Sequence, residues 1–155
     1  MNKIIVKSYI KVNEEYVDFF NYNGKVTDSD YIDGAVELTI HGIKLIDISM
    51  YDYIDDLWSY FSEGLASVYE EKDFTTFFPD QPIEVRFEVC RKNSDLIVSV
   101  NCHEEVSVAI NRKEFIREMK LHAERFFEKL QDIVPDSLIT FNVAKSYLDK
   151  IVYQK

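Results

Sequence analysis

The sequence predicts an α+β fold, with a mostly antiparallel sheet of about five to six strands packed against two long helices and a short C-terminal helix. Two observations lead to this prediction. Hydrophobic residues alternate with period two in hairpin-sized sets, whereas three other segments follow the 3.6-residue period of a helix. The 155 residues include only four glycines and three prolines and no low-complexity run, so residues 1–155 are expected to form a single domain.

The first predicted strands lie in the N-terminal third of the chain. Residues 4–12 alternate between apolar and polar side chains, which predicts a strand. Residues 36–45 alternate on both sides of His41-Gly42, a pair typical of a two-residue turn. Closing the hairpin there places Ile40 opposite Ile43 and keeps one apolar face.

Residues 13–24 are open to two interpretations. Their alternating aromatic residues and the turn signal Asn23-Gly24 favour a strand ending in a hairpin. A helix is the alternative, because Asn13 is a suitable N-cap and Gly24 a suitable C-terminal residue. The strand is the preferred interpretation.

A second hairpin is predicted between residues 83–90 and 96–102, with a third strand at 106–110. Closing it at the polar turn between them makes paired residue numbers add up to 187. Cys90 and Cys102 then lie on opposite faces of the sheet, too far apart for a disulfide. Two free thiols are typical of a reducing cytoplasm.

Three helices are predicted from apolar stripes. The first covers about 51–71, with Ser49 and Asp52 as a capping pair and Gly64 marking a close packing contact. The second begins after Asn111, which is expected to be its N-cap, and ends at Val134-Pro135. The third covers about 141–152. The stripe of the first helix contains Ile54, Leu57, Trp58, Phe61, Leu65 and Val68.

Charge excludes several classes of partner. Asp and Glu number 28 against 18 Lys and Arg, a formal net charge of −10. Nucleic acids and anionic membranes bind basic faces, so neither is expected as the partner. No stretch of about 18 apolar residues predicts a membrane span, and residues 1–12 do not resemble a signal peptide. We expect a cytoplasmic protein that is a monomer or a weak dimer.

The sequence contains no recognisable catalytic, cofactor or metal motif, which indicates a protein that is not an enzyme. The three histidines are isolated, and Cys102 and His103 are expected to point to opposite faces of a strand. Asp28-Ser29-Asp30 is similar to the start of a calcium loop. The required glycine is replaced there by Asp33, and the twelfth-position Glu by Thr39.

The acidic residues are unevenly distributed. Residues 1–80 contain 16 Asp and Glu but six Lys and Arg, whereas residues 81–155 contain 12 of each. Eight of the ten tyrosines also lie in the first half. This half is either a solvated acidic face or a surface that binds a basic protein, since carboxylates steer cationic partners and Tyr is a frequent interface anchor. The candidate partner-binding residues are Asp28, Asp30, Tyr31, Asp33, Tyr51, Asp52, Tyr53, Asp55 and Asp56, with Asp52, Asp55, Asp56 and Ser59 expected to face outward together.

Three segments carry a resemblance to a known class of proteins: GAVELTIHGIKLID from Gly34, DDLWSYFSEGL from Asp55 and IEVRFEV from Ile83. In architecture and composition the chain resembles the small immunity proteins of bacterial polymorphic-toxin and contact-inhibition systems. The resemblance implies a non-enzymatic inhibitor that covers the active site of a toxin domain, for example a basic nuclease. The alternatives are a DNA-mimic inhibitor of a nucleic-acid enzyme, and a small ligand-binding or enzymatic domain.

Overall fold

A computed structural model of the chain describes residues 3–26, 31–134 and 138–153. The strands in these ranges are β1 (Ile4–Val12), β2 (Glu15–Asp18), β3 (Asp33–Ile40), β4 (Ile43–Ile46), β5 (Asp52–Tyr53), β6 (Phe74–Phe77), β7 (Glu84–Val89), β8 (Asp95–Asn101) and β9 (Glu105–Asn111). The helices are α1 (Ile54–Tyr69), α2 (Arg112–Ile133) and α3 (Leu138–Leu148), with short 3₁₀ turns at Phe19–Asn21 and Ile48–Met50.

The described strands form two antiparallel sheets. The first has the order β2-β1-β3-β4, with the short β5 pairing with β3, and the second has the order β6-β7-β8-β9. The α+β class with antiparallel pairing is therefore confirmed, but a single sheet of five to six strands is wrong. Helix α1 separates the two sets of strands along the chain, and β5 and β6 are too short to show an alternating pattern.

Most of the predicted hairpin geometry is present. Residues 41 and 42 both adopt positive φ values, and Ile40 pairs with Ile43 as expected. The β7–β8 register differs from the prediction, because Val85 pairs with Val100 and paired numbers add up to 185. A shift of two residues leaves every side chain on its predicted face. Cys90 and Cys102 are free thiols.

The segment after β1 is a strand, as preferred, but its turn lies elsewhere. Asn13 and Glu14 both have positive φ and reverse the chain between β1 and β2. Strand β2 ends at Asp18, whose carboxylate accepts the N–H of Phe20 and caps a 3₁₀ turn. The predicted turn at Asn23-Gly24 is therefore wrong.

Helix boundaries differ from the predictions at both α1 and α3. The helix starts at Ile54 rather than 51, because Asp47 caps a separate 3₁₀ turn by accepting the N–H of Ser49. The predicted Ser49–Asp52 capping pair is wrong. Asn111 caps α2 as predicted, accepting the N–H of Glu114. Helix α3 ends at Leu148, earlier than the sequence indicates.

Both sheets and all three helices contribute to one hydrophobic cluster. Trp58 is fully buried at its centre, which confirms it as a core residue rather than a surface one. Gly64 fits against β6 and β7, since a Cβ there would lie 2.6 Å from the Phe74 ring and 2.8 Å from the Phe87 ring. The predicted close contact at Gly64 is confirmed.

Candidate protein-binding surface

The candidate residues of the first half meet where β3 begins, β5 pairs with it and α1 starts. Asp33 pairs with Tyr53, and Gly34 pairs with Asp52. Gly34 allows this approach because a Cβ at this position would collide with the Tyr9 carbonyl oxygen and contact Ile54. The pairing brings side chains that are about twenty residues apart in sequence onto one surface.

Four tyrosines are presented around this junction. Tyr31 is 59% exposed and Tyr51 is 48% exposed, while Tyr60 on α1 is also exposed. The rings of Tyr31 and Tyr53 are in contact, with centroids 5.2 Å apart. The ammonium of Lys11 lies over the Tyr51 ring, 5.0 Å from its centroid. Rings fixed by such contacts lose little conformational freedom when a partner binds.

Carboxylates lie within electrostatic reach of these tyrosines. Burial, followed by the charges of Asp80 and Asp33, raises the pKa of Tyr53. Burial, followed by the charge of Asp56, raises the pKa of Tyr60. We call the combined feature the tyrosine–acid surface, and it consists of Tyr31, Asp33, Tyr51, Tyr53, Asp56, Tyr60 and Asp80.

Asp52 does not face outward, which corrects the prediction. Asp52 is buried, with only 4% of its surface exposed. The carboxylate accepts the backbone N–H groups of Tyr53 at 2.7 Å, Asp80 at 3.0 Å and Gln81 at 2.9 Å. The amide of Gln81 also donates to the Tyr51 carbonyl oxygen. Asp52 therefore fixes the loop after β6 against β5 and is not available to a partner.

Asp55 is also buried, with 6% exposure, and the prediction that it faces outward is wrong. One of its oxygens, Oδ1, has no hydrogen-bond partner, and neither has the Ser59 hydroxyl one turn later. Burial, and then the neighbouring Asp56, raises the pKa of Asp55 to about 7. Ser62 and Ala66, which follow Asp55 at helical spacing, are buried as well. Helix α1 is thus covered on a second face, which the single-stripe interpretation did not include.

Asp56 is the remaining carboxylate of this helical turn. It is half-buried, and burial followed by the charge of Asp52 raises its pKa. Asp33 and Tyr31 are exposed as predicted. Asp28 and Asp30 lie outside the described residues. The structure therefore brings together five of the nine predicted contact residues, namely Tyr31, Asp33, Tyr51, Tyr53 and Asp56, and adds Tyr60 and Asp80.

An open groove of about 430 Å³ borders the tyrosine–acid surface. The end of β1, with Lys11, forms one wall, and Tyr31 and Asp33 form another. Tyr22 also lines the groove and donates its hydroxyl hydrogen to the Lys25 carbonyl oxygen. The groove is thus lined by positive and negative charges and by aromatic rings, next to the tyrosine–acid surface.

A buried polar network lies behind this surface, and the sequence analysis missed it. Ser8 Oγ lies 2.7 Å from Nε2 of His122 and accepts the indole N–H of Trp58 at 2.9 Å. The His122 ring stacks on Trp58, and burial lowers its pKa to about 4. A Ser–His contact can activate a nucleophile, but Ser8 is 1% exposed, so no substrate can reach it. The network satisfies core polar groups, and its sequence signals are Ser8 on the apolar face of β1 and His122 in the apolar stripe of α2.

The described part of the chain contains neither a metal centre nor a membrane-spanning helix. Within residues 3–26, 31–134 and 138–153, no group of three or more His, Cys, Asp or Glu side chains is placed to hold a metal ion. None of the helices in these ranges combines the length and apolar character needed to cross a bilayer. The search for relatives found that no protein-family model, curated protein or solved structure matches this chain.

Proposed function

We propose that this chain is a non-enzymatic inhibitor that binds a basic protein through the tyrosine–acid surface. The partner is a bacterial toxin domain, and the chain acts as its immunity protein in the cytoplasm. The observation that carries the proposal is the grouping of four partly or fully exposed tyrosines with Asp33, Asp56 and Asp80 at one junction of the fold.

The chemistry of the surface suits a cationic partner. Tyrosine gives large contact area with few rotatable bonds and is common among interface residues that dominate affinity. Carboxylates around it steer a cationic protein into contact and disfavour anionic competitors. Basic clefts that bind phosphate, such as those of nucleases, are complementary to such a surface. A net charge of −10 adds long-range attraction.

The burial data favour this proposal over a DNA mimic. A mimic needs solvent-exposed carboxylates repeated like backbone phosphates, and residues 47–56 contain four Asp in ten positions. Asp47 caps a 3₁₀ turn, Asp52 accepts three backbone N–H groups and Asp55 is buried. Asp47 and Asp56 are half-buried, so the run presents no row of fully exposed carboxylates.

The test uses the product of the gene beside the one that encodes this chain, which the proposal predicts to be a toxin. Co-expression of the wild-type chain is expected to relieve the growth arrest that the toxin domain causes. The triple variant Asp33→Asn/Asp56→Asn/Asp80→Asn should weaken binding by about tenfold or more in calorimetry. The matched control Glu118→Gln/Glu124→Gln/Glu128→Gln makes the same charge change on α2 and should bind normally. Equal weakening by both variants, or a neighbouring product that is neither toxic nor bound, would refute the proposal.

A further inference from the structure

The second sheet ends in a strand whose outer edge is open. Phe78 donates its N–H to the Ile83 carbonyl oxygen, in register with the β6–β7 pairs. Hydrogen-bonded and non-hydrogen-bonded pairs alternate in an antiparallel ladder. Phe74 and Thr76 therefore direct their backbone groups toward β7, and Thr75 and Phe77 direct theirs away from it.

The ladder on the other side of β7 agrees with this assignment. Cys90 donates its N–H to the Asp95 carbonyl oxygen, so Glu88, Arg86 and Glu84 direct their backbone groups toward β8. The intervening residues Val85 and Phe87 then pair with β6. In the described part of the chain, the outward groups of β6 meet no other strand, although the Phe77 carbonyl oxygen accepts the hydroxyl of Thr76 at 3.3 Å.

Strand β6 is short, which limits unwanted pairing, but it contains no charged residue and no proline. Proteins place charges or prolines on edge strands to prevent unwanted pairing. Charged residues occur on the other strands that end the two described sheets: Glu15 and Asp18 on β2, Lys44 on β4 and Glu105 on β9. The sequence of β6 is Phe-Thr-Thr-Phe, and Phe77 is 53% exposed.

Acidic side chains surround this unprotected edge. Asp73 precedes the strand and Asp80, a member of the tyrosine–acid surface, follows it, and both are exposed. Asp73 accepts the Val89 N–H at 2.8 Å and lies 3.9 Å from Arg91, so its charge is partly balanced. Glu84 lies opposite Phe77 on the neighbouring strand, and Arg86, which pairs with Thr75, lies 3.5 Å from Glu84 and balances its charge. A second copy of the chain would bring like charges together, whereas a cationic segment would be attracted.

We infer that β6 is a docking edge on which an extended cationic segment of the partner protein adds as a further antiparallel strand. Backbone hydrogen bonds to Thr75 and Phe77 hold the segment, and the exposed Phe77 ring and the flanking carboxylates select apolar and basic side chains. The inference rests on the proposed function, because the segment belongs to the same basic partner, and it adds a second contact region next to the tyrosine–acid surface.

The test uses a short synthetic peptide of alternating lysine and valine, with hydrogen exchange of individual amides followed by NMR. The peptide should slow exchange at Thr75 and Phe77. A peptide N-methylated on the hydrogen-bonding residues should give no protection. Thr75→Pro removes an outward N–H without breaking the β6–β7 ladder, and it should weaken peptide binding by about tenfold. Thr75→Val keeps the N–H and should bind normally.

Each outcome separates the edge from the tyrosine–acid surface. Absence of protection at Thr75 and Phe77, or equal binding of both peptides, would overturn the docking edge. A dimer in light scattering that Thr75→Pro abolishes would show that a second copy occupies the edge instead. Peptide protection together with a toxin partner that ignores the Asp33, Asp56 and Asp80 substitutions would refute the proposed surface and leave the edge standing.

Discussion

Replacing Asp55 by asparagine should stabilise the protein at alkaline pH. The carboxyl of Asp55 is buried beside Asp56, with Oδ1 unpartnered, and its pKa rises from 3.8 to about 7. The unfolded chain loses this proton near pH 4, while the folded chain keeps it until about pH 7. Folding stability therefore falls as pH rises through this interval and stays low above it. The rise in the pKa of Asp55 from 3.8 to about 7 lowers the free energy of unfolding by up to about 4 kcal/mol at pH 8.

Asparagine has nearly the same shape and no charge to desolvate. Asp55→Asn should raise the free energy of unfolding by about 2–4 kcal/mol at pH 8 and change it little at pH 4. Urea denaturation followed by fluorescence of the buried Trp58 measures both values. The expected gain corresponds to a midpoint shift of about 1–2 M urea for a chain of this size.

Asp33→Asn is the matched control, because Asp33 is exposed and the same substitution there removes no buried charge. It should leave the stability at pH 8 within about 0.5 kcal/mol of wild type. If Asp55→Asn instead destabilises the protein equally at pH 4 and pH 8, the folded structure does not disfavour the ionised carboxylate. The rise in the pKa of Asp55 through burial would then be wrong.

Three further predictions follow from other buried groups. Asp52→Asn should lower the free energy of unfolding by about 1–3 kcal/mol at pH 7 in urea denaturation, since the acceptor shared by three N–H groups loses its charge. An unchanged urea midpoint would contradict this role of Asp52. In the Asp55→Asn background, stability should fall by about 3 kcal/mol as pH drops from 6.5 to 4, because burial lowers the pKa of His122 to about 4. His122→Gln should remove that fall, and a fall that persists would exclude His122 as its cause. Gly64→Ala should lower stability by about 1–3 kcal/mol in thermal denaturation despite better helix propensity, whereas Ser67→Ala on the same helix should not.

The sequence predicted those strands whose partners are set by local turns. A two-residue turn such as His41-Gly42 fixes the register of its hairpin, and the pairing of Ile40 with Ile43 is confirmed. The turn between β7 and β8 is longer, and Asn93 fixes it by accepting the N–H of Asp95. Several closures of such a turn keep the same apolar face, so the pattern alone did not determine the register.

The candidate site was predicted only in part, because burial depends on distant packing. The apolar stripe of α1 was correct, but it gave no indication that a second face of the helix is covered. Helix α3 lies against α1, where the Tyr147 hydroxyl donates to Glu63. Asp52 is buried because its carboxylate binds N–H groups of the loop after β6, and this loop brings Asp80 to the surface from 28 residues away in sequence. Asp55 is buried together with Ser62 and Ala66 on the second covered face of α1.

The bonds of Asp52 have a consequence for how binding energy is used. By holding the backbone of Tyr53 in one sheet and of Asp80 in the loop of the other, this carboxylate sets the spacing between the Tyr53 ring and the Asp80 charge in the free protein. A surface ordered in advance loses little conformational entropy on association, so more of the contact energy appears as affinity. Substitutions that change which partner the proposed surface binds should then occur at the exposed residues around Asp52. Asp52 itself should stay unchanged, because it holds these residues in place.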